Sequence, residues 1–197
     1  LYDQTAGNNC TGATCDLTNA TISQRPAFTL NCIGSLPCMT FASGSSQRLR
    51  STNAATSGSQ PNTHSAVANS TNTGAAQSIF LSAGGGATQI NFRNSADNQA
   101  GVFAGTNLNT TATDGSYHAI QGVLNGASNN AISVDGSFVT AGGGANAMVG
   151  TLSMGDNGSA GQFMNGTILE AGAWGSKAFN STEAYSMSAN QHSYWGF

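Results

Sequence analysis

Short strand-like segments recur along this chain, separated by turn residues roughly every 8–14 positions, and this recurrence most constrains the fold. Within residues 88–93, Ile90 and Phe92 alternate with polar neighbours, which predicts a strand with one solvent-exposed face. The dipeptide Asp135-Gly136, set between Val134 and Phe138, predicts a tight hairpin. Strands of this length with turns between them are typical of an all-β sandwich or jelly roll.

The same reading along the chain predicts one domain over residues 1–197. Further strand-like segments lie at 27–31, 38–41, 77–83, 101–105, 117–124 and 131–140. Residues 43–73 are dominated by Ser, Asn, Thr, Gly and Gln, so we predict a long polar surface loop with a weak edge strand. Asn180, with Glu183 three positions on, has the spacing of a capping box and predicts a helix over 181–192.

The composition narrows the class of protein. Charged residues make up 7% of the chain and the net charge is -3, whereas typical soluble domains have about 25% charged residues. Five Lys plus Arg are too few for a basic stripe along a phosphate backbone, so we expect no nucleic-acid partner. No apolar run approaches the roughly 20 residues of a membrane span, so we expect no membrane insertion. The uncharged polar surface favours a secreted or virion-surface protein, and a start without Met suggests an excerpt or a processed product.

The four cysteines form two close pairs, Cys10 with Cys15 and Cys32 with Cys38. We predict two local disulfides, each worth about 2 kcal/mol in a small loop. Another disulfide pairing, zinc ligation at the loose edge of structural-zinc spacings, and free thiols remain alternatives. Local disulfides would indicate an oxidising compartment.

Residues 151–174 contain two apolar segments around Asp156, Asn157 and Gly158. We interpret this stretch as a late hairpin of the sandwich, with Asp156 at its tip. Asp156 is then either a solvated or Asx-turn residue or a ligand contact. Trp174 either packs in the core or at a sheet edge, or offers a platform for sugar stacking. The ligand-binding candidates are therefore Asp156, Asn157 and Trp174.

Residues 115–197 resemble the second half of laminin-G-like and concanavalin A-like domains. An aromatic-His strand start, a Val-Asp-Gly hairpin, an F-x-G-x-I-x-E strand and a short S/T-x-E helix follow in the family's order. Here they are Tyr117-His118, Val134-Asp135-Gly136, Phe163 to Glu170, and Ser181 to Glu183. The resemblance implies a concanavalin A-like jelly-roll sandwich of two antiparallel sheets, with one short helix near the C-terminus.

A narrower resemblance is to the catalytic domain of α-L-arabinofuranosidase B and related bacterial and phage proteins. Residues 1–9 look like that family's YDQSGNGN segment, and residues 155–159 look like its G-D-N-S stretch. The resemblance implies that Asp156 matches the general acid/base. The position matched to the nucleophilic Glu holds Gln77, and a carboxamide is a far poorer nucleophile than a carboxylate. The catalytic pair is thus incomplete in this alignment.

Other candidate chemistry is sparse. Calcium needs six to eight oxygen ligands, and Asp97-Asn98 with Asp156-Asn157 supply no contiguous set, so we expect no cofactor, with calcium as the alternative. The three histidines are widely spaced, which predicts no metal site. Glu170 in mid-strand and His118 beside Tyr117 are expected to be structural.

These observations favour a non-catalytic extracellular or virion-surface recognition domain that binds carbohydrate. The expected partner is a glycan or surface polysaccharide, and a homo-oligomer is compatible with the sequence. One alternative is a glycoside hydrolase of the α-L-arabinofuranosidase type, with Asp156 as its acid/base. The other is a structural module that decorates a fibre or capsid.

Overall fold

The structure is a computed structural model. It describes residues 16–51, 59–71, 78–84, 87–92, 99–111, 115–148, 150–159 and 162–197. Within these residues no helix has the length and apolar character needed to cross a bilayer.

The described chain contains thirteen strands and one α-helix. The strands are β1 (Ala27–Ile33), β2 (Leu36–Phe41), β3 (Leu49–Arg50), β4 (Asn62–Ser70), β5 (Ser78–Ala83), β6 (Thr88–Phe92), β7 (Gln99–Phe103), β8 (Asn107–Thr111), β9 (His118–Leu124), β10 (Asn130–Val134), β11 (Ser137–Ala141), β12 (Leu152–Met154) and β13 (Gly166–Gly175). The helix α1 spans Ser181–Trp195, and short 3-10 turns lie at Ile22–Gln24 and Ser43–Ser45.

The strands form two antiparallel sheets that pack face to face. The seven-stranded sheet has the order β1-β2-β13-β4-β9-β10-β11, and the six-stranded sheet has the order β3-β12-β5-β6-β7-β8. The core between them is built from fully buried side chains such as Phe80, Phe92, Ile120 and Ile132. Most of the inner strands contribute alternate residues to this core, as the period-2 pattern requires, whereas β1 and β11 at the edges of the seven-stranded sheet contribute none. The predicted all-β sandwich with one helix near the C-terminus is confirmed.

Two local predictions hold at the residue level. Asp135 and Gly136 form a two-residue turn between β10 and β11, with φ angles of 51° and 85° and Val134 paired with Ser137. Both φ angles are positive, as a type I′ hairpin turn requires. At the start of α1, Asn180 Oδ1 accepts from Glu183 N–H and Glu183 Oε2 accepts from Asn180 N–H. This reciprocal pair is the predicted capping box, and the helix extends three residues beyond the predicted end.

The disulfide Cys32–Cys38 is present and joins the end of β1 to β2, with a Cα–Cα distance of 5.6 Å. This confirms one of the two predicted bridges. Cys10 and Cys15 lie outside the described residues.

The prediction of a loop over residues 43–73 is wrong for residues 62–70. They form β4, which lies between β13 and β9 in the middle of the seven-stranded sheet. Eight of its nine residues are buried. One side of β4 packs Ala66 and Ala68 into the core. On the other side Ser65 Oγ accepts a hydrogen bond from Gln191 of α1. Because both faces are covered, the strand shows no alternation between apolar and polar residues.

The interpretation of residues 151–174 as a hairpin is also wrong. β12 pairs with β3 and β5 in the six-stranded sheet, whereas β13 pairs with β2 and β4 in the seven-stranded sheet. The connection crosses from one sheet to the other, and both Met154 and Met164 are buried in the core at its ends. Met164 N–H donates to Gly155 O at 2.8 Å. Between these two buried methionines the chain therefore passes from the six-stranded sheet to the seven-stranded sheet.

Candidate functional site

The outward side of the six-stranded sheet carries polar residues. Ile90 and Phe92 of β6 point into the core, so Gln89 and Asn91 point the other way. The pairing register then places Asn91 beside Gly101 of β7 and Gly101 beside Asn109 of β8. Another row of the same side runs from Ser153 of β12 through Ser82 of β5 to Gln89. We call this surface the polar face and define it by Ser82, Gln89, Asn91, Asn109 and Ser153.

The polar face is more enclosed than the sequence predicts. The exposed fraction of the residue is 5% for Gln89 and 0% for Asn91. The expectation of a solvent-exposed face at residues 88–93 is therefore wrong. A Cβ placed on Gly101 would lie 2.6 Å from Asn109 Oδ1 and 2.9 Å from Asn91 Oδ1. The two carboxamides therefore lean over Gly101 and occupy the space that its missing side chain leaves.

Several polar atoms on and beside this face are buried without a hydrogen-bond partner among the described residues. They are Asn91 Oδ1 and Nδ2, Asn107 Oδ1, Asn109 Oδ1 and Ser153 Oγ. Asn107 lies two positions before Asn109 on β8 and so shares its side of the sheet. An unpaired buried polar group costs about 1–3 kcal/mol. Native proteins retain few such groups, and each calls for an explanation, such as a ligand or an ordered water.

Asp156 lies at the β3 end of the polar face, just after β12. Its carboxylate is fully buried and forms a salt bridge to the Arg50 guanidinium through Oδ2, while Arg50 Nε donates to Oδ1 at 3.4 Å. Arg48 Nε is 3.9 Å from Oδ2. Gly158 N–H donates to Oδ1 at 3.2 Å, and Ser82 Oγ donates to the Asp156 backbone oxygen at 2.8 Å.

This environment corrects the expectation that Asp156 is a solvated loop tip, because its burial leaves no contact with water. The Asx-turn interpretation is confirmed by the hydrogen bond from Gly158. The groups in contact with the carboxylate are guanidinium and N–H donors, so each of its two oxygens accepts a hydrogen bond within the protein.

Asn157 and Trp174 occupy different parts of the molecule. Asn157 is half-buried beside Asp156, where its Oδ1 accepts from Ser159 N–H at 3.1 Å and its Nδ2 donates to Gln162 Oε1 at 3.3 Å. Ala173 packs against the core, so Trp174 points outward from the seven-stranded sheet, where its ring lies 5.1 Å from that of Phe179. Asp156 and Trp174 therefore lie on opposite outward faces of the sandwich and do not share one site.

Two other sequence-based candidates have no described geometry. Gln77, the position matched to the nucleophile, and Asp97, a calcium candidate, lie outside the described residues. Within the part of the chain that the structure describes, no group of three or more His, Cys, Asp or Glu side chains is placed to hold a metal ion.

The outward side of the seven-stranded sheet is covered by α1. Glu170 of β13 accepts from Gln191 Nε2 and from Trp195 Nε1, each at 3.0 Å. Gln121 of β9 donates to Gln191 Oε1 and accepts from Ser188 Oγ, each at 2.9 Å. We call this surface the helix-covered face. The structural role predicted for Glu170 is confirmed.

A second polar cluster lies at the β10–β11 turn. Asp135 Oδ2 is 2.6 Å from His118 Nδ1, and Asp135 Oδ1 is 3.0 Å from His192 Nε2 of α1. Partial burial raises the pKa of Asp135, but the hydrogen bonds from His118 and Ala119 N–H, with the charges of the two histidines, hold it below its ordinary value. Asp135 is therefore a turn residue that also anchors α1, and His118 is structural as predicted.

The sequence reasoning missed the residues that define the polar face and the arginines beside it. The i, i+2 spacing of Arg48 and Arg50 is a signal that they share one face of a strand. Asn107 and Asn109 show the same spacing. Neither pair lies in a long run of alternating apolar and polar residues, so the i, i+2 spacing alone did not predict a strand at these positions.

Comparisons with known proteins identify solved structures that share this fold. No protein-family model matches the chain, and no curated protein matches it. Among solved structures, domain 4 of AbnA, an extracellular GH43 arabinanase of Geobacillus stearothermophilus in complex with arabinotriose, superposes with a TM-score of 0.57 at 10% identity, covering 83% of this chain and 81% of that one.

Two further solved structures are similar. The CBM40 of the Ruminococcus gnavus IT-sialidase, bound to α2,3-sialyllactose, has a TM-score of 0.51 at 12% identity over 66% of this chain and 84% of that one. The binding domain of botulinum neurotoxin serotype D has a TM-score of 0.57 at 8% identity over 85% of this chain and 46% of that one. At these identities the likeness shows the fold alone. The chain is a concanavalin A-like jelly-roll sandwich, as the sequence resemblance implied.

Proposed function

We propose that this protein is a non-catalytic glycan-recognition domain whose binding site is the polar face. The observation that carries the proposal is the set of unpaired amide groups around Gly101, on Asn91 and Asn109. A surface built only to be stable would pair these atoms or replace them with apolar groups.

Carbohydrate suits these atoms because a sugar hydroxyl both donates and accepts hydrogen bonds. Asn91 Nδ2 needs an acceptor, whereas Asn91 Oδ1 and Asn109 Oδ1 need donors. One ring with neighbouring hydroxyls supplies both kinds of group at once. Asn109 is half-buried on β8, near the end of the six-stranded sheet, and is therefore the first contact that we assign to the ligand.

The fold neighbours support this class of ligand. The AbnA domain was solved with arabinotriose and the CBM40 domain with α2,3-sialyllactose. A concanavalin A-like sandwich is thus a scaffold on which glycan sites occur, although the residues that form the site must be argued for this chain separately.

The absence of catalysis is part of the proposal. Asp156 is engaged by Arg50 and Arg48 and serves, in this interpretation, to fix the β3 end of the polar face. Asn157 extends that end toward solvent and is the adjoining contact for a longer glycan. Hydrolysis with retention needs two carboxyl groups about 5–5.5 Å apart, and the matched nucleophile position holds Gln77.

We also propose an extracellular location. The Cys32–Cys38 disulfide persists in oxidising compartments, and glycans of cell surfaces and secreted polysaccharides are found there.

A glycan array followed by isothermal titration calorimetry tests the proposal. We expect at least one glycan to bind, and the variant Asn109→Ala to weaken that binding about tenfold, as loss of one or two hydrogen bonds predicts. No binding across a broad array would overturn the proposed function.

The matched control is Trp174→Ala on the opposite face. It removes the half-exposed aromatic side chain that sequence analysis offered as a stacking platform, and we expect it to leave affinity unchanged. If Trp174→Ala abolishes binding and Asn109→Ala does not, the glycan site lies elsewhere than the polar face. Release of nitrophenol from a chromogenic arabinofuranoside, lost in Asp156→Asn, would instead establish the hydrolase alternative.

A further inference from the structure

Three arginines cluster beside the polar face, in a chain with few cations. The structure describes four Lys and Arg side chains, and Arg25, Arg48 and Arg50 lie together around β3, whereas Lys177 is next to α1. We call the three arginines the basic patch. Arg50 pairs in register with Ser153, which belongs to the polar face, so the patch borders that face directly.

Asn19 holds the patch together. Its Nδ2 donates to Gln24 O at 3.2 Å and to Arg48 O at 3.0 Å, and its backbone oxygen accepts from Arg25 Nε at 2.7 Å. Arg48 N–H also donates to Gln24 O at 3.0 Å. The segment that carries Arg25 is therefore fixed to Arg48, the residue before β3, and the arginines are positioned before any ligand arrives.

The patch has more positive charge than its acidic neighbours neutralise. Asp156 pairs with Arg50 and lies near Arg48, and Asp16 lies two residues before Thr18, which bridges to Arg50. Even if Asp16 is counted with Asp156, the described residues supply two carboxylates for three guanidinium groups, which leaves a surplus of one positive charge. The whole chain, by contrast, has a net charge of -3.

The patch also has N–H donors that have no partner among the described residues. Arg25 is exposed and only its Nε has a partner among the described residues. Arg48 donates through Nη1 to Ser46 O at 3.3 Å, and its guanidinium lies 5.7 Å from the centre of the Phe163 ring. Arg50 is engaged through Nε and Nη2. With respect to the described residues, terminal nitrogens on all three therefore remain for a ligand, and a guanidinium binds a carboxylate or sulfate through two parallel hydrogen bonds.

We propose that the basic patch binds the anionic group of an acidic glycan, a carboxylate or a sulfate, while the polar face binds the hydroxyls of the same chain. This inference rests on the proposed glycan function and adds the charge of the ligand to it. The small surplus charge suits one anionic substituent. A phosphate backbone would need a longer run of cations.

Calorimetric titration with matched probes tests the inference. Trigalacturonate is compared with galactotriose, and sialyllactose with its sialic acid methyl ester, so that the members of each pair differ in the acidic group. We expect at least one acidic probe to bind about tenfold more tightly than its neutral counterpart, as a charge-assisted contact predicts. Raising the salt concentration to roughly 0.5 M should weaken only the acidic probe.

Variants assign the effect to the patch. Arg25→Gln should weaken the acidic probe about tenfold and leave the neutral probe unchanged, and Arg25→Lys should restore part of the loss because it keeps the charge without the planar fork. Lys177→Gln removes the same charge beside α1, where Lys177 contacts Glu183, and should change neither affinity.

The outcomes separate the two proposals. Equal affinity for acidic and neutral probes, or an unchanged acidic affinity in Arg25→Gln, overturns the acidic-ligand inference and leaves the glycan function standing. Failure of every probe, together with a blank glycan array, overturns both. Tighter binding of a single-stranded DNA oligonucleotide than of any glycan would assign the patch to nucleic acid and overturn the inference.

Discussion

The two outward faces of the sandwich are both polar, but they differ in whether their buried polar side chains have hydrogen-bond partners among the described residues. On the helix-covered face, Gln121, Glu170 and Gln191 are joined in one hydrogen-bonded network with α1. On the polar face, the amides of Asn91 and Asn109 include buried atoms without partners among the described residues. Other residues of the seven-stranded sheet also have buried atoms without partners among the described residues: Ser133 Oγ on β10, and, on β4, both amide atoms of Asn62 and His64 Nδ1.

The difference offers a way to distinguish structural polar residues from candidate binding residues in a chain with few charges. Buried amides whose hydrogen bonds are satisfied within the fold stabilise the docking of an element. Buried amides that are left unpaired cost stability, and each calls for an explanation such as a ligand or an ordered water. Composition alone treats the two faces alike, since both are built from Asn, Gln and Ser.

The largest effect is expected where the polar face is fixed at β3. Asp156→Ala leaves Arg50 without its anion, and removal of one partner of a buried ion pair costs about 3–5 kcal/mol. Because Arg50 is 31% exposed, we expect the lower end of that range. Urea unfolding measures the change. The surface pair of Lys177 and Glu183 is the control, and Lys177→Gln should have a much smaller effect because solvent screens an exposed pair. Similar costs for both variants would contradict the assigned role of Asp156.

The free energy of unfolding should depend on pH through His64, so stabilities of variants on the two faces are to be compared above pH 6.5. It is completely buried between the sheets, and desolvation lowers its pKa from 6.5 to about 4. As the pH falls from 6.5 to 4, the unfolded chain takes up a proton at this side chain and the folded chain does not. The free energy of unfolding should therefore fall by about 3 kcal/mol over that range.

Urea unfolding at a series of pH values, with His64→Leu alongside the unmodified protein, isolates this contribution. The difference in unfolding free energy between the two proteins should depend on pH between 6.5 and 4 and be constant above it. A difference that stays constant throughout would show that His64 is accessible to protons in the folded state.

Gln191→Leu breaks the network of the helix-covered face. It removes hydrogen bonds to Ser65, Gln121 and Glu170, and we expect the free energy of unfolding to fall by about 2 kcal/mol because these partners are left buried and unpaired. Glycan affinity should not change. Weakened glycan binding in this variant would mean that the two faces do not act separately.

Asn91→Leu is the matched change on the polar face and has the smallest expected effect on stability. Replacing an unpaired buried amide with an apolar side chain of similar size should raise the free energy of unfolding by about 1 kcal/mol. Glycan affinity should fall about tenfold as hydrogen bonds to the ligand are lost. A loss of stability as large as that of Gln191→Leu would show that Asn91 has a structural partner, and the contrast between the faces would disappear.

Sequence by itself determined the features that depend on neighbouring residues. The Asp135-Gly136 turn, the capping box of Asn180 and Glu183, and the Cys32–Cys38 bridge each follow from local conformation or short loop closure. The class of fold followed from the spacing of such elements. These predictions hold because their energetics involve few residues, close together in the chain.

Tertiary structure alone decided what depends on distant partners. β4 is a central strand because the core and α1 cover its two sides, although its composition is that of a loop. Asp156 is a buried ion-pair partner because the chain crosses between the sheets and meets Arg50, which lies 106 residues earlier. Burial and pairing are properties of the packed sheets, so a one-dimensional pattern of polar residues does not distinguish a solvated loop from an enclosed site.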